Sequence, residues 1–136
     1  MFNATGADLL LVEGEAVLAD LTSFRLELLG FSLRVVSSSL EAQQQIESRK
    51  PDLLIIDSVL PDGDGIDYVS RLRTEFTPEE LPVLVFSINP TLDSVERAFA
   101  GGAQAYLVTP FDPTTLEEKI QVLLKSSTTF AKQVSR

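Results

Sequence analysis

Residues 53–65 read Leu53-Leu54-Ile55-Ile56-Asp57-Ser58-Val59-Leu60-Pro61-Asp62-Gly63-Asp64-Gly65. The run Leu53–Ile56 is apolar, free of Pro and Gly, and of strand length, the pattern of a strand buried on both faces. Beyond it, the Asp62-Gly63-Asp64-Gly65 turn leads into Ile66, Val69, Leu72 and Phe76, which share one helical stripe with Asp64 before it. Three further runs of the same kind follow this pattern: Leu9–Val12, Val83–Phe86 and Ala105–Val108. A fifth, Ser32–Ser37, alternates Leu33 and Val35 with polar neighbours and reads as an edge strand.

Helical patterns separate the runs. Val17, Leu21, Phe24 and Leu28 form a stripe stopped by Gly30, and Ser39 is a plausible cap for a polar helix running to about Arg49 and ended by Pro51. Leu92, Val95 and Phe99 precede the stop Gly101-Gly102. Leu116, Ile120 and Leu123 follow Asp112 as cap and Pro113 at the first helical position. Strands alternating with helices over short connections imply an α/β fold with a parallel sheet covered on both faces. The expected architecture is a doubly wound five-stranded parallel sheet of order 2-1-3-4-5, flavodoxin-like.

Composition narrows the chemistry. The 136 residues contain no His and no Cys, which excludes Ser-His-Asp triads, thiol nucleophiles, thiolate zinc sites and phosphohistidine. Carboxylates, hydroxyls, Lys, Arg, Tyr, backbone groups or a hard oxygen-bound cation remain. A net charge of −9 argues against general nucleic-acid binding, which depends on Lys and Arg replacing phosphate counterions. No apolar segment reaches the length of a membrane span, and the amino terminus lacks a basic region followed by an apolar run, so a cytoplasmic location is expected.

Ligands on such sheets bind beyond the carboxyl ends of the strands, near the point where strand order reverses. This chain places Glu13, Gly14 and Glu15 after the first strand, Asp57 and Ser58 after the third, Ser87 after the fourth and Thr109-Pro110 after the fifth. A carboxylate there could ligate Mg²⁺ or attack a phosphoryl donor; it could equally be turn chemistry. No phosphate loop and no Gly-x-Gly-x-x-Gly after a strand occur. Read as a calcium loop, Asp62–Gly65 would put Ile66 and Arg73 at ligand positions, so an acidic turn is the better reading.

The block Leu54–Gly65, together with Leu9–Glu13, Pro82–Ser87 and Ala105–Phe111, resembles the receiver domain of bacterial response regulators, in order from Asp8 to Leu124. The resemblance implies an N-terminal extension at 1–7, a receiver domain at 8–124 and a polar tail or linker at 125–136. It implies that Asp57 is the phosphoacceptor, Ser87 the switch hydroxyl and Tyr106 the switch aromatic, with Glu13, Asp57 and the backbone carbonyl of Val59 around Mg²⁺. The bond Thr109-Pro110 matches one that is cis in the family. Two positions depart from the pattern: Gly14 replaces an acidic metal ligand, and Thr109 replaces a Lys. Glu15 is nearby but need not compensate.

Phosphoryl transfer depends on positioning and on neutralising charge, so these departures imply weak or absent phosphorylation and a weak or absent Mg²⁺. The chain would then be no enzyme beyond autocatalytic phosphoryl acceptance and hydrolysis at Asp57. The alternative is a pseudo-receiver that docks proteins without phosphate. Expected partners are a histidine kinase or phosphotransfer protein and a downstream protein or fused effector domain. A homodimer through the face of the fourth helix, fifth strand and fifth helix is a further expectation; direct nucleic-acid and membrane contacts are not. A flavin carrier on this architecture would need hydroxyls and glycines cradling phosphate after the first strand, and that loop lacks them.

Overall fold

The structure, a computed structural model, describes residues 6–127. Its strands are β1 (Asp8–Val12), β2 (Ser32–Val36), β3 (Leu53–Asp57), β4 (Val83–Ser87) and β5 (Ala105–Val108). They form one parallel sheet of order β2-β1-β3-β4-β5, the expected doubly wound topology. Five helices cover it: α1 (Ala16–Leu28), α2 (Ser39–Ser48), α3 (Gly65–Leu72), α4 (Leu92–Ala100) and α5 (Pro113–Ser126). A short antiparallel ladder, Val59–Leu60 against Gly63–Asp64, stiffens the loop between β3 and α3.

Period-two alternation splits the central strands between two cores. Leu9, Leu11, Leu53, Ile55, Leu84 and Phe86 join Leu26 of α1 and Leu116, Ile120 and Leu123 of α5. Leu10, Val12, Leu54, Ile56, Val83 and Val85 join Ile46, Ile66, Val69, Leu72 and Ala98 on the other side. The stripes expected for α3 and α5 are therefore the buried ones, although α3 ends at Leu72 and Phe76 packs from the turn beyond it.

Elsewhere the periodicity misleads. The α1 stripe is exposed, with Val17 at 64%, Leu21 at 56%, Phe24 at 61% and Leu28 at 71%. The face on the sheet is one residue over, where Ala19, Thr22 and Leu26 are buried and Leu18 and Leu29 pack alongside. This helix is apolar on two adjoining faces, and a Thr in the buried one hides it. On α4, Leu92 and Phe99 are likewise exposed and the small Ala98 is the buried contact. Ser38, not Ser39, caps α2 by accepting from the Glu41 N–H. The helix α5 runs through Lys125 and Ser126, the first residues of the expected tail, and Ser127 is buried with its hydroxyl on the Glu79 carbonyl. Residues 1–5 of the expected extension and 128–136 of the tail lie outside the described residues.

Candidate functional site

The sheet's hydrogen-bonded ladders continue one residue past the strands. Glu13 donates its N–H to the Val36 carbonyl, Ser58 to Phe86 and Thr109 to Ser87. Alternation therefore carries on into the site. Asp57 stands opposite Phe86, on the α1/α5 side with Glu13 and Thr109, whereas Ser58, Ser87 and Tyr106 fall on the α4 side. The expected residues thus gather at one sheet edge as two sets, the carboxylates with Thr109 on one side and the two serines with Tyr106 on the other.

Glu13 is only 3% exposed. One of its carboxyl oxygens accepts the Glu15 N–H at 2.9 Å, while Oε2 is buried without a partner. Burial, and next the adjoining Asp57 carboxyl, push Glu13 up to about 8, against the lowering effect of the Glu15 N–H. Glu13 therefore holds its proton more readily than an exposed carboxyl, because ionising it would leave a buried, unpartnered charge beside Asp57. Asp57 itself accepts the Val59 N–H at 2.9 Å.

The neighbouring acids have other duties. Glu15 caps α1, accepting from the N–H groups of Val17 and Leu18. Asp62 accepts from Ser39 N–H, Ser39 hydroxyl and Leu40 N–H, which ties the β3–α3 loop to the start of α2. Asp64 caps α3 and pairs with Arg97 of α4 at 2.7 Å. This is the acidic-turn reading, and it removes the calcium-loop one. Among the described residues no group of three acidic side chains converges on an ion site. Glu13 and Asp57 are the carboxyls that could hold a hard cation, and the orphaned Glu13 Oε2 is an oxygen such a cation would satisfy.

Two glycines shape this edge. A Cβ on Gly65 would lie 2.0 Å from the Asp57 carbonyl oxygen, so only Gly lets α3 begin against the end of β3. A Cβ on Gly14 would lie 2.6 Å from Cδ of Pro61. The place of a second acid is therefore filled by the proline ring of the opposite loop.

On the other side, Ser58 donates its hydroxyl to Ser87 Oγ at 2.8 Å, and Asn89 donates its N–H to the same oxygen at 3.1 Å. Tyr106 donates its phenol to the Asn89 carbonyl at 2.7 Å. These residues line a cavity of about 590 Å³ with Val59, Asp64 and Arg97. The bond Thr109-Pro110 is cis. Sequence reasoning placed Ser58 at this edge without a partner and missed Asn89 and Pro61, because each acts through a contact set by register or loop approach.

The family profile of the response regulator receiver domain matches residues 9–121. The phosphate regulon transcriptional regulatory protein PhoB of Rhizobium meliloti is 33% identical over 114 residues, covering 84% of this chain and 50% of that protein. The chain spans about half the length of the curated relatives it matches. Among solved structures, a protein of Chloroflexus aurantiacus assigned as a response regulator is 31% identical with a TM-score of 0.83, covering 88% of this chain and 98% of its own. The receiver domain of sensor histidine kinase PA1611 of Pseudomonas aeruginosa, solved with a magnesium ion coordinated in the active site cleft, has the same fold at a TM-score of 0.80 and 24% identity, covering 88% of this chain and 98% of its own. Matched by the family profile over most of its length and sharing the fold over 88% of it, the chain belongs to the response regulator receiver domain family.

Proposed function

We propose that this receiver uses Asp57 as its phosphoacceptor, with Glu13, Asp57 and the Val59 carbonyl holding Mg²⁺ weakly and with Ser87 and Tyr106 responding. The observation that carries the reading is the buried, orphaned Glu13 oxygen on a carboxyl that lies against Asp57. A hard cation would satisfy that oxygen and let Glu13 ionise; bound there, Mg²⁺ would supply positive charge for the phosphoryl oxygens.

In the transfer, an Asp57 carboxylate oxygen attacks phosphorus. Its new O–P bond forms as the bond to the donor breaks, and the electron pair leaves with the donor. The donor is a histidine kinase or phosphotransfer protein. Loss of one acid at Gly14 and one ammonium at Thr109 each removes charge stabilisation worth on the order of a few kcal/mol, so transfer is slow. Output passes to a downstream protein or a fused effector domain, in keeping with relatives about twice as long. A second copy is proposed to meet the α4–β5–α5 face, where Leu92, Phe99, Val108 and Val122 are exposed. The proposed setting is the cytoplasm, with no direct nucleic-acid or membrane contact; no helix among the described residues is long and apolar enough to span a bilayer.

The second reading, a pseudo-receiver that docks partners without phosphate, is favoured by the Pro61 ring closing the Gly14 position. Intact mass after exposure to a small-molecule acyl phosphate, with Mg²⁺ titrated, separates the two. The expected result is a slow, partial, Mg²⁺-dependent phosphoryl gain that Asp57→Asn abolishes. No gain at saturating donor and Mg²⁺, or an equal gain in Asp57→Asn, overturns the acceptor reading.

A further inference from the structure

Asp57 and Ser87 lie one register step apart on adjacent strands and on opposite sides of the sheet. For the Ser87 hydroxyl to approach a group on Asp57, it must leave its present position. Two donors hold it there: the Ser58 hydroxyl at 2.8 Å and the Asn89 N–H at 3.1 Å. Ser87 is buried, so water does not readily replace either bond.

Ser58 cannot follow if Ser87 turns. Its own N–H is fixed on the Phe86 carbonyl at 3.0 Å, and its carbonyl accepts the Gly65 N–H at 2.9 Å. Gly65 is in turn wedged against the Asp57 carbonyl, so the Ser58 backbone is held from both ends. The same turn of Ser87 would release the N–H of Asn89, whose carbonyl holds the Tyr106 phenol. The Ser87 and Tyr106 positions are thus linked through a single residue, and Ser58 anchors the Ser87 end of that chain.

We propose that Ser58 is a positioning residue, a latch that holds the Ser87 hydroxyl on the α4 side and opposes the turn that phosphorylation of Asp57 requires. The latch rests on the reading of Asp57 as acceptor, because only a group on Asp57 gives Ser87 a competing partner. A net hydrogen bond of ordinary strength corresponds to a bias of roughly three- to tenfold between the two Ser87 positions.

The full chain, Ser58→Ala and Ser58→Thr are to be compared in two ways. Without ligand, the Asn89 amide should exchange hydrogen faster in Ser58→Ala, since a loosened Ser87 offers it a poorer acceptor; Ser58→Thr, which keeps the hydroxyl, should restore the original rate. With beryllofluoride and Mg²⁺ as phosphoryl mimic, the Tyr106 ring resonances of Ser58→Ala should half-saturate at a roughly three- to tenfold lower concentration. Unchanged Asn89 exchange in Ser58→Ala overturns the latch, as does unchanged or weaker beryllofluoride uptake. If the unaltered chain takes up no beryllofluoride, the acceptor reading fails, and Asn89 exchange alone then decides whether Ser58 holds Ser87.

Discussion

The loops that follow β1 and β3 meet at the site, and both are acidic, yet they treat their acids in opposite ways. After β3, Asp57 takes the Val59 N–H, Asp62 accepts the Ser39 and Leu40 N–H groups at the start of α2, and Asp64 caps α3 and pairs with Arg97. After β1, Glu15 caps α1 but Glu13 is buried with one oxygen orphaned, and Gly14 carries no side chain at all. The β3 loop is thus a finished scaffold that places Asp57, whereas the β1 loop is an unfinished pocket, with one buried oxygen unpartnered and no side chain at Gly14. The loops touch where Pro61 covers Gly14, so the scaffold fills the gap in the pocket. An excess of acidic residues over the whole chain says little about a site when local acids such as Glu15, Asp62 and Asp64 are engaged at helix starts.

The sharpest way to break this contrast is to disturb the finished side. In Gly65→Ala the new methyl would lie 2.0 Å from the Asp57 carbonyl oxygen, backbone that cannot step aside without moving the acceptor. The Gly65 N–H bond to the Ser58 carbonyl would go with it. We expect a loss of about 3 kcal/mol in urea-induced unfolding, the range of severe overpacking. A loss below about 1 kcal/mol would mean that the loop yields and that its rigidity does not place Asp57.

On the unfinished side the expected effect is smaller and depends on pH. Glu13 titrates near 4.5 when unfolded and is pushed up to about 8 in the folded chain. Between those values the folded chain keeps a proton that the unfolded chain has lost. Its contribution to stability is full below 4.5 and declines as pH rises through about 8. Glu13→Gln cannot ionise and keeps an oxygen for the Glu15 N–H. With chelator present, unfolding midpoints between about pH 5 and about pH 8 should fall for the original chain and flatten for the variant. The variant should be more stable at the alkaline end by about 1–3 kcal/mol, the cost of an unsatisfied buried polar group. Parallel pH profiles would place the orphaned charge elsewhere.

How far these features can be read from sequence follows from the range of the interactions involved. The sheet was legible because Leu53–Ile56 and its counterparts carry their burial within four residues. The α5 stripe was legible because that helix has one apolar face. On α1 two apolar stripes lie one residue apart, and buried Thr22 disguises the packed one, so periodicity selected the exposed face. Asp57 and Ser87 could be placed at one sheet edge from their positions at strand ends, and Tyr106 through the family resemblance, but their division between its two sides depends on parallel register. The Ser58–Ser87 bond follows from the same register, and the Pro61–Gly14 contact joins loops far apart in the chain, so neither leaves a local signal. Glu15 as a cap was obscured because Ser, Thr, Asp and Asn are the usual residues there.

The smallest expected effect tests whether the unfinished pocket can be completed. Restoring an acid by Gly14→Asp, with Thr109→Lys for the cation, assumes that the space at Gly14 is open, and it is not. The main obstacle is the Pro61 ring, since Gly14 is not among the glycines with positive φ and the Ser37 carbonyl oxygen, at 3.3 Å, is a lesser crowding. Pro61→Ala removes Cγ and Cδ, the two atoms a side chain at 14 would strike. Gly14→Asp with Pro61→Ala should therefore bind Mg²⁺ about tenfold more tightly than the original chain, close to 1.4 kcal/mol. Gly14→Asp alone should gain less, since it must first displace the ring. Thr109→Lys, added to the pair, should raise acceptor reactivity further, as its ammonium enters from the same side of the sheet as Asp57. Isothermal titration with Mg²⁺ orders the variants. Equal affinities for Gly14→Asp with and without Pro61→Ala would show that the ring yields freely, leaving the absent carboxylate as the whole of the deficit on the β1 side.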